Sequence, residues 1–510
     1  MPILSPKTSL SIIRAQTTQG LSEQRVLLIG QMLSGTATAG ALTSDVPNSE
    51  ASIGALFGAK SHIASLCKKF KAVNSVTPLD VIALDDAGGA TSASATFVFT
   101  GTATEDGTLV LSVMDKPNIQ ASVAITSGDA ATAIATAAAA ALNALAADQP
   151  FSASPSTGTV TVTAANGGTL FNGAPISVEG SVAGVSVAIT AFASGATDPT
   201  FTSVFDVVGN QRYQTIGWPS TWASATLKTF LDARFNDAYR AMDGVGIYSE
   251  TNTYANLNGG PSENSQSIVV IGDNLLDLAT RKGPAIQSLA DHKTAVFCAI
   301  RSLRLTDDAP LTSVQTTAAP SDQFGGLGIS SLPYHNTLMP ELTAPLPEDE
   351  FSLDQIDDLT GDGYTIAAAN RVYTGVILGD AVTTYLTTVS GDPDTSFKYL
   401  NTVDNSSAIR EYYLNNLRSQ YAQTRLTNGD LVAGRDMANT GAIRSFCKAK
   451  YQELASEAIL EAGSTALADY DENLIVVVDV GAGRATIDQA PLQVGGLRLI
   501  IGTIAVKFSS

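Results

Sequence analysis

Histidine and cysteine are scarce here, with three of each among 510 residues. Cys67, Cys298 and Cys447 stand far apart and form no CxxC pair. Their spacing supports neither a zinc site nor a disulfide framework, so buried free thiols in a reducing compartment are the expectation. His62, His292 and His335 are equally scattered. His62, on a predicted helix, reads as a surface or interface residue rather than a ligand. No GxSxG elbow, P-loop, HExxH motif or three-glycine dinucleotide fingerprint occurs. No catalytic set, metal site or cofactor is therefore assigned. Charged residues make up only 15%, and 29 basic against 48 acidic side chains leave a net charge of −19. Phosphate binding needs a basic excess, so nucleic acid is not expected as a partner. Long hydrophobic runs are also missing. The most apolar helix candidate, Asp129 to Asp148, is nearly all alanine with Thr136 and Asn143 inside, too weak for a membrane span. The first residues lack a basic stretch followed by an apolar one, so no secretory signal is read.

What is present is apolar material and small residues. Apolar residues are 44% and Gly numbers 43, enough for two to four domains with tightly packed sheets. Leu497 to Phe508 reads as a bare strand in which Leu499, Ile501, Ile504, Val506 and Phe508 are the apolar residues. From Ile504 they alternate with Thr503, Ala505 and Lys507, as a half-buried strand requires. A strand needs a neighbour for its backbone polar groups. Nothing after this one can fold back as a hairpin, so its partner is expected far away in the chain or in another molecule. Near the other end Leu10, Ile12 and Ile13 form a short apolar run in a polar leader. Two strand-like ends without catalytic apparatus suggest a protein that joins copies of itself.

Between the ends the texture changes twice. Arg25 to Gly30 and Leu79 to Leu84 read as buried strands, and Asn48 to Phe70 between them as a helix, which makes a βαβ unit with a parallel sheet. From Asp85 to about Thr200 Lys116 is the only basic residue. Strands are predicted there at Ala95 to Thr100, Leu109 to Met114, Ser122 to Ile125, Thr159 to Thr163 and Val185 to Ala191. The alanine-rich helix sits among them, capped by Ser127 or Asp129. This block reads as an α+β insertion into an α/β domain that resumes near Phe201. Downstream, strands are predicted at Thr215 to Trp218, Ser267 to Gly272 and Ala295 to Leu305. Helices are predicted at Thr221 to Met242, Leu276 to Ala290, Asp349 to Leu359 (capped by Asp349), Ser407 to Thr424 and Thr440 to Ala462. Leu474 to Asp479 is a further strand, and Gly481 and Gly483 a turn.

Two strings invite a site reading. Asp358-Leu-Thr-Gly-Asp362-Gly363 resembles the start of a calcium loop, but Ala369 stands where the bidentate carboxylate is needed, so a turn is expected. The helix from Thr440 carries Arg444, Lys448 and Lys450 before Glu453, Glu457 and Glu461, with Ile443, Phe446, Cys447, Tyr451 and Leu454 as its apolar stripe. Its basic half can dock on an acidic neighbour; an ordinary amphipathic helix is the plain alternative.

Three segments then resemble contractile tail sheath proteins of Mu-like phages. They are Val26-Leu-Leu-Ile-Gly-Gln31 with Ala55-Leu-Phe-Gly-Ala-Lys-Ser61 and Val81-Ile-Ala-Leu-Asp-Asp86; Val382-Thr-Thr-Tyr385 with Pro393-Asp-Thr-Ser396, Tyr413 and Leu417; and the strand Leu497 to Phe508. Gly379-Asp380-Ala381 departs from the basic residue and Glu that often precede the Thr-Thr-Tyr string. The resemblance implies a multidomain α/β and α+β chain: a sheath-type α/β core, an inserted sheet-rich outer domain and extended terminal arms. The divisions expected are 1–24 (arm), 25–84 and 201–348 (core), 85–200 (insertion), 349–490 (C-terminal domain) and 491–510 (arm strand). It further implies a structural, non-enzymatic subunit that stacks in hexameric rings around a tail tube. The arms would add strands to neighbouring subunits. Contraction would drive the tube through the host envelope. Implied partners are other copies, the tail tube protein, and baseplate and tail terminator proteins, with no direct membrane insertion. Assembly in the host cytoplasm and a place in the virion tail follow. The helix bearing Arg444, Lys448, Lys450, Glu453 and Glu457 is the expected tube-facing surface. The rival reading is an α/β hydrolase-like enzyme with a carbohydrate-binding insertion.

Overall fold

The computed structural model describes residues 23–307 and 334–495, apart from 117, 146–147, 236, 238–239, 371 and 373. The expected arm residues Leu10, Ile12, Ile13, Leu499, Ile501, Ile504, Val506 and Phe508 lie outside the described residues.

The chain opens with β1 (Val26–Gln31), β2 (Leu42–Thr43), α1 (Glu50–Phe57), α2 (His62–Val73) and β3 (Leu79–Leu84). β1 and β3 pair in parallel across the two helices, as the βαβ pattern predicts. The single helix expected over 48–70 is broken. Gly58 turns the chain at a φ of +83°, where a Cβ would be strained, and Ser61 starts α2 by accepting a hydrogen bond from the Ala64 amide. β1 is buried along its whole length. Val26 and Leu28 enter one core, Leu27 and Ile29 another, which is why the strand reads as an unbroken apolar run.

Next come β4 (Ser92–Gly101), β5 (Gly107–Val113), β6 (Gln120–Ile125), α3 (Ala131–Asn143), β7 (Phe151–Ser156), β8 (Thr159–Gly167), β9 (Ile176–Glu179) and β10 (Val185–Ala193). β10, β4, β8 and β7 form an antiparallel sheet, and α3 packs its Ile134, Ala138 and Leu142 beneath it. The cap of α3 is Ala130, with no side-chain bond; Asp129 instead accepts from the Thr126 amide.

The chain then returns to the first sheet with β11 (Thr215–Gly217), α4 (Ala225–Asp232), β12 (Val245–Asn252), α5 (Tyr254–Leu257), β13 (Ile268–Leu278), β14 (Arg281–Pro284), α6 (Ala290–Asp307), β15 (Thr337–Met339), α7 (Leu353–Gly361), β16 (Tyr364–Ala369) and β17 (Val376–Leu378). The sheet runs β2-β3-β1-β11-β12-β13, and β13 also pairs with β16. Past Asn274 β13 pairs with β14, which leads on to β9, β5 and β6. The insertion therefore continues the core sheet and shares its core. Four expectations fail here. The helix read over 276–290 is the end of β13 and β14, and the strand read over 295–305 is inside α6. Ala295 to Ile300 are all buried, and burial on every side of a helix erases the periodicity that identifies it. The long helix expected from Thr221 is α4 alone among the described residues. α7 is capped by Ser352, not Asp349, in a capping box with Gln355.

The last part contains α8 (Leu400–Tyr421), β18 (Arg425–Leu426), β19 (Met437–Ala438), α9 (Thr440–Ser456), α10 (Ser464–Asn473), β20 (Ile475–Asp479) and β21 (Arg484–Asp488). It has its own core of Tyr412, Tyr413, Ile443, Cys447, Tyr451, Leu454 and Tyr470. The three cysteines are free and buried, and burial pushes the Cys67 thiol up to about 12.

Candidate functional site: a buried polar seam and an open C-terminal hairpin

The enzyme reading needs a nucleophile, a base and access. The residue types do meet, in a seam between α2, α6 and the insertion. His62 Nε2 lies 2.7 Å from Asp291 Oδ2, and Asp291 Oδ1 accepts from the Ser220 amide at 2.7 Å. The His62 amide donates to Asn166 of the insertion at 2.8 Å. Ser288 Oγ donates to Asp115 at 2.6 Å and stands 3.4 Å from His292 Nδ1. Lys69 pairs with the same Asp115 at 2.8 Å. His62 is therefore not a surface residue: it is 1% exposed, because the insertion covers the start of α2. Gly30 makes room for it, since a Cβ there would sit 2.7 Å from His62 Nδ1. Burial pushes His292 down to about 4, so the ring is neutral. Burial works to raise Asp115, but in the acid range where it titrates His292 is protonated, and the charges of His292 and Lys69 outweigh burial and hold the carboxyl low. Ser288 is 0% exposed and already spends its proton on Asp115, so no carbonyl substrate can reach it. What this arrangement does is fasten the insertion to the core.

The calcium-like string is the last turn of α7 and the Asp362–Gly363 turn that follows it. Asp358 accepts from Tyr254 Oη at 2.9 Å, Asp362 accepts from the Gly259 amide at 3.1 Å, and Gly363 turns at a φ of +97° into β16. Among the described residues no group of three or more His, Cys, Asp or Glu can hold a metal.

The helix singled out from sequence is α9. Ile443, Cys447, Tyr451 and Leu454 face inward as the stripe predicts, and half-buried Phe446 packs on Tyr421. Its charges meet partners in the same chain. Arg444 donates to Asp471 Oδ1 at 3.0 Å and to the Leu474 carbonyl at 2.6 Å, and Lys448 pairs with Asp471 at 3.0 Å. The Lys448 bond, ahead of the Arg444 bond, holds the Asp471 carboxyl below its usual range. Lys450 pairs with Glu453 at 2.7 Å, Glu453 also accepts from Tyr412 Oη, and Glu457 is the C-cap. Asp471 was not visible from sequence because it lies 27 residues away on another helix.

β20 and β21 form a hairpin around the Gly481–Gly483 turn, and no other described strand pairs with either outer edge. Val476 and Val478 pack inward, while Ile475 and Val477 are 55% and 57% exposed. From sequence the stretch after the glycines reads as extended but not as a partner of β20, although an apolar run, a Gly-Ala-Gly turn and the alternating Arg484 to Asp488 together are a hairpin signal.

No family model matches the chain. Over 496 residues it is 24% identical to the Mu-like prophage FluMu tail sheath protein of Haemophilus influenzae, covering 94% of this chain and 93% of that one. This chain is similar, over nearly its whole length, to a Mu-like tail sheath protein. The resemblance read from three segments thus extends almost end to end. Among solved structures, the sheath tail protein of Desulfitobacterium hafniense aligns with a TM-score of 0.45 at 11% identity, over 93% of this chain and 97% of that one. The sheath tail protein of Listeria innocua aligns at 0.46 and 12%, over 94% of each. The contracted helical sheath of the anti-feeding prophage aligns at 0.46 and 10%, over 98% of this chain and 99% of that one.

Proposed function

We propose that this chain is a structural subunit of a contractile phage tail sheath. The observation that carries this is the end-to-end match to a tail sheath protein, with no insertion or truncation large enough to remove a domain from either chain. In this reading copies stack as hexameric rings around a tail tube and exchange strands through their terminal segments. Contraction then drives the tube through the host envelope. The open edges of the β20–β21 hairpin support the strand exchange. Among the described residues no strand pairs with their backbone donors and acceptors, which lie beside exposed Ile475 and Val477 as an added strand requires. The partners are other copies, tail tube protein, and baseplate and terminator proteins; the place is the virion tail, after assembly in the host cytoplasm.

Electron microscopy of the concentrated protein tests this, with striated tubes or rings as the expected result. Removing Leu497 to Ser510 is expected to leave a folded chain that no longer polymerises. Tubes of normal length from the truncated chain would refute strand exchange through that segment.

We also retain α9 as the tube-facing surface, through Arg444, Lys448, Lys450, Glu453 and Glu457. Because Lys448 also pairs with Asp471, its reversal to Glu perturbs the fold as well as any docking. The test is therefore Lys448→Glu with Lys450→Glu, beside Asp471→Asn as the control for the lost internal pair. Co-sedimentation with tubes is expected to fall for the first and hold for the second; equal binding by both counts against the assignment.

A further inference from the structure

A second surface of the C-terminal part faces the place where the described chain ends. Between α9 and α10 lies a groove of about 380 Å³, lined chiefly by apolar groups of Tyr451, Ala455, Ala462, Gly463 and Leu467. Its floor is firm: the Tyr451 ring stacks on Tyr470 at 4.3 Å, and its hydroxyl donates to the Glu461 carbonyl at 2.9 Å. Residues 492–494 run beside 459–461. The Glu461 amide donates to Leu492 at 2.9 Å, the Val494 amide to Ile459 at 3.1 Å, and Leu460 bridges Gln493. The two runs are antiparallel, so the chain leaves beside Ile459, three residues past Ser456 at the groove's rim. The chain beyond Gly495 therefore sets out within a few residues of an apolar groove.

The segment that sets out fits it chemically. Ile504, Val506 and Phe508 form one apolar edge, and Arg498 and Lys507 are its only charged residues. The groove stands at the acidic end of α9, next to Glu457 and Glu461. An extended chain covers about 3.3 Å per residue, so a dozen residues have ample reach. We propose that this groove holds residues 497–508 of the same chain before assembly, keeping the strand-forming segment from other copies until it is handed on. This rests on the sheath reading, in which the same segment later serves a neighbour. Within one chain its effective concentration is on the order of millimolar, far above that of a neighbour's segment in dilute solution. Inside a growing assembly neighbours are no longer dilute, and the open hairpin adds backbone hydrogen bonds that the helical groove does not supply. The segment then transfers.

The test uses the full chain with Ser456→Cys and Val506→Cys. Ser456 is exposed at the groove's rim, and the native cysteines are buried. On oxidation a disulfide within single molecules is expected, with a yield independent of protein concentration. The control pair Thr132→Cys and Val506→Cys, whose first site is on exposed α3, is expected to give none. The locked chain should fail to polymerise and recover when reduced. Cross-links only between molecules, none at all, or locked chains that assemble as fast as reduced ones would overturn the proposal. As a second measurement, ending the chain at Gly495 should speed amide exchange in residues 451–456 and 462–467 of the dilute protein; unchanged exchange would likewise overturn it. Tubes formed by a chain that never cross-links would sink this proposal and leave the sheath reading standing. Cross-linking in a chain that never forms tubes would do the reverse.

Discussion

The insertion and the C-terminal part solve opposite problems. The insertion is closed. Its apolar side chains join the core beneath the parallel sheet, its strands extend that sheet through β14, and the polar seam around His62 and Asp115 ties it down. The C-terminal part keeps a separate core and carries a two-stranded hairpin with which no other described strand pairs. It hangs on the rest through α8, whose first half carries buried ion pairs. Arg301 of α6 meets Asp404 at 2.5 Å, and Arg212 and Arg410 join Glu411 and Asp243. The difference teaches that this chain spends its low charge and small residues where surfaces seal. Buried ion pairs serve both the seam beneath the insertion and the joint to the C-terminal part.

Cutting the joint is expected to have the largest effect. Asp404→Ala strands Arg301, which is 3% exposed, beside Tyr334. Removing one partner of a buried pair costs roughly 3–5 kcal/mol, so calorimetry should show a large loss of stability, with the C-terminal part melting first. A loss below about 1 kcal/mol would mean that the joint is not held this way.

Acid should loosen the closed side next. His292, facing Asp115, Lys69, His62 and Asp291, is held near 4 against an ordinary 6.5. The unfolded chain takes up that proton as pH falls through 6.5, while the folded chain does so only near 4. Stability is therefore full above about pH 7 and is lost as pH falls from 6.5 to 4, by up to ~3 kcal/mol. The lowered Asp115 works in the same direction at the acid end. Denaturant midpoints measured across pH should show this slope, and His292→Gln should flatten it.

The smallest change in stability should come on the open side. Val477→Lys alters a side chain that is 57% exposed, so stability should move by less than about 0.5 kcal/mol. Polymerisation, measured by light scattering, should nonetheless fall sharply. A stable variant that assembles normally would show that the exposed face of the hairpin is not an acceptor.

Much of this was legible along the chain. β1, β3 and their parallel pairing follow from two continuous apolar runs flanking a helix-length segment. The alternating strands of the insertion follow from period two. The inward stripe of α9 follows from its helical spacing, and the resemblance to tail sheath proteins from the order of three short segments. The errors fell where burial hid periodicity, as in α6, or where a local cue lost to a better one, as when Ser352 with Gln355 outcompeted Asp349 as a cap.

Local pattern sets what each segment of this chain becomes, because helix and strand formation are read over a few residues. It says nothing of which distant residues meet. The burial of His62 against Asp291, 229 residues away, the capture of Arg444 and Lys448 by Asp471, and the pairing of Arg301 with Asp404 exist only because packing brought those elements together. Charge on a predicted helix face looks available until the fold supplies its partner, and a histidine looks exposed until a distant segment closes over it. Those contacts depend on three-dimensional proximity, which sequence separation does not encode.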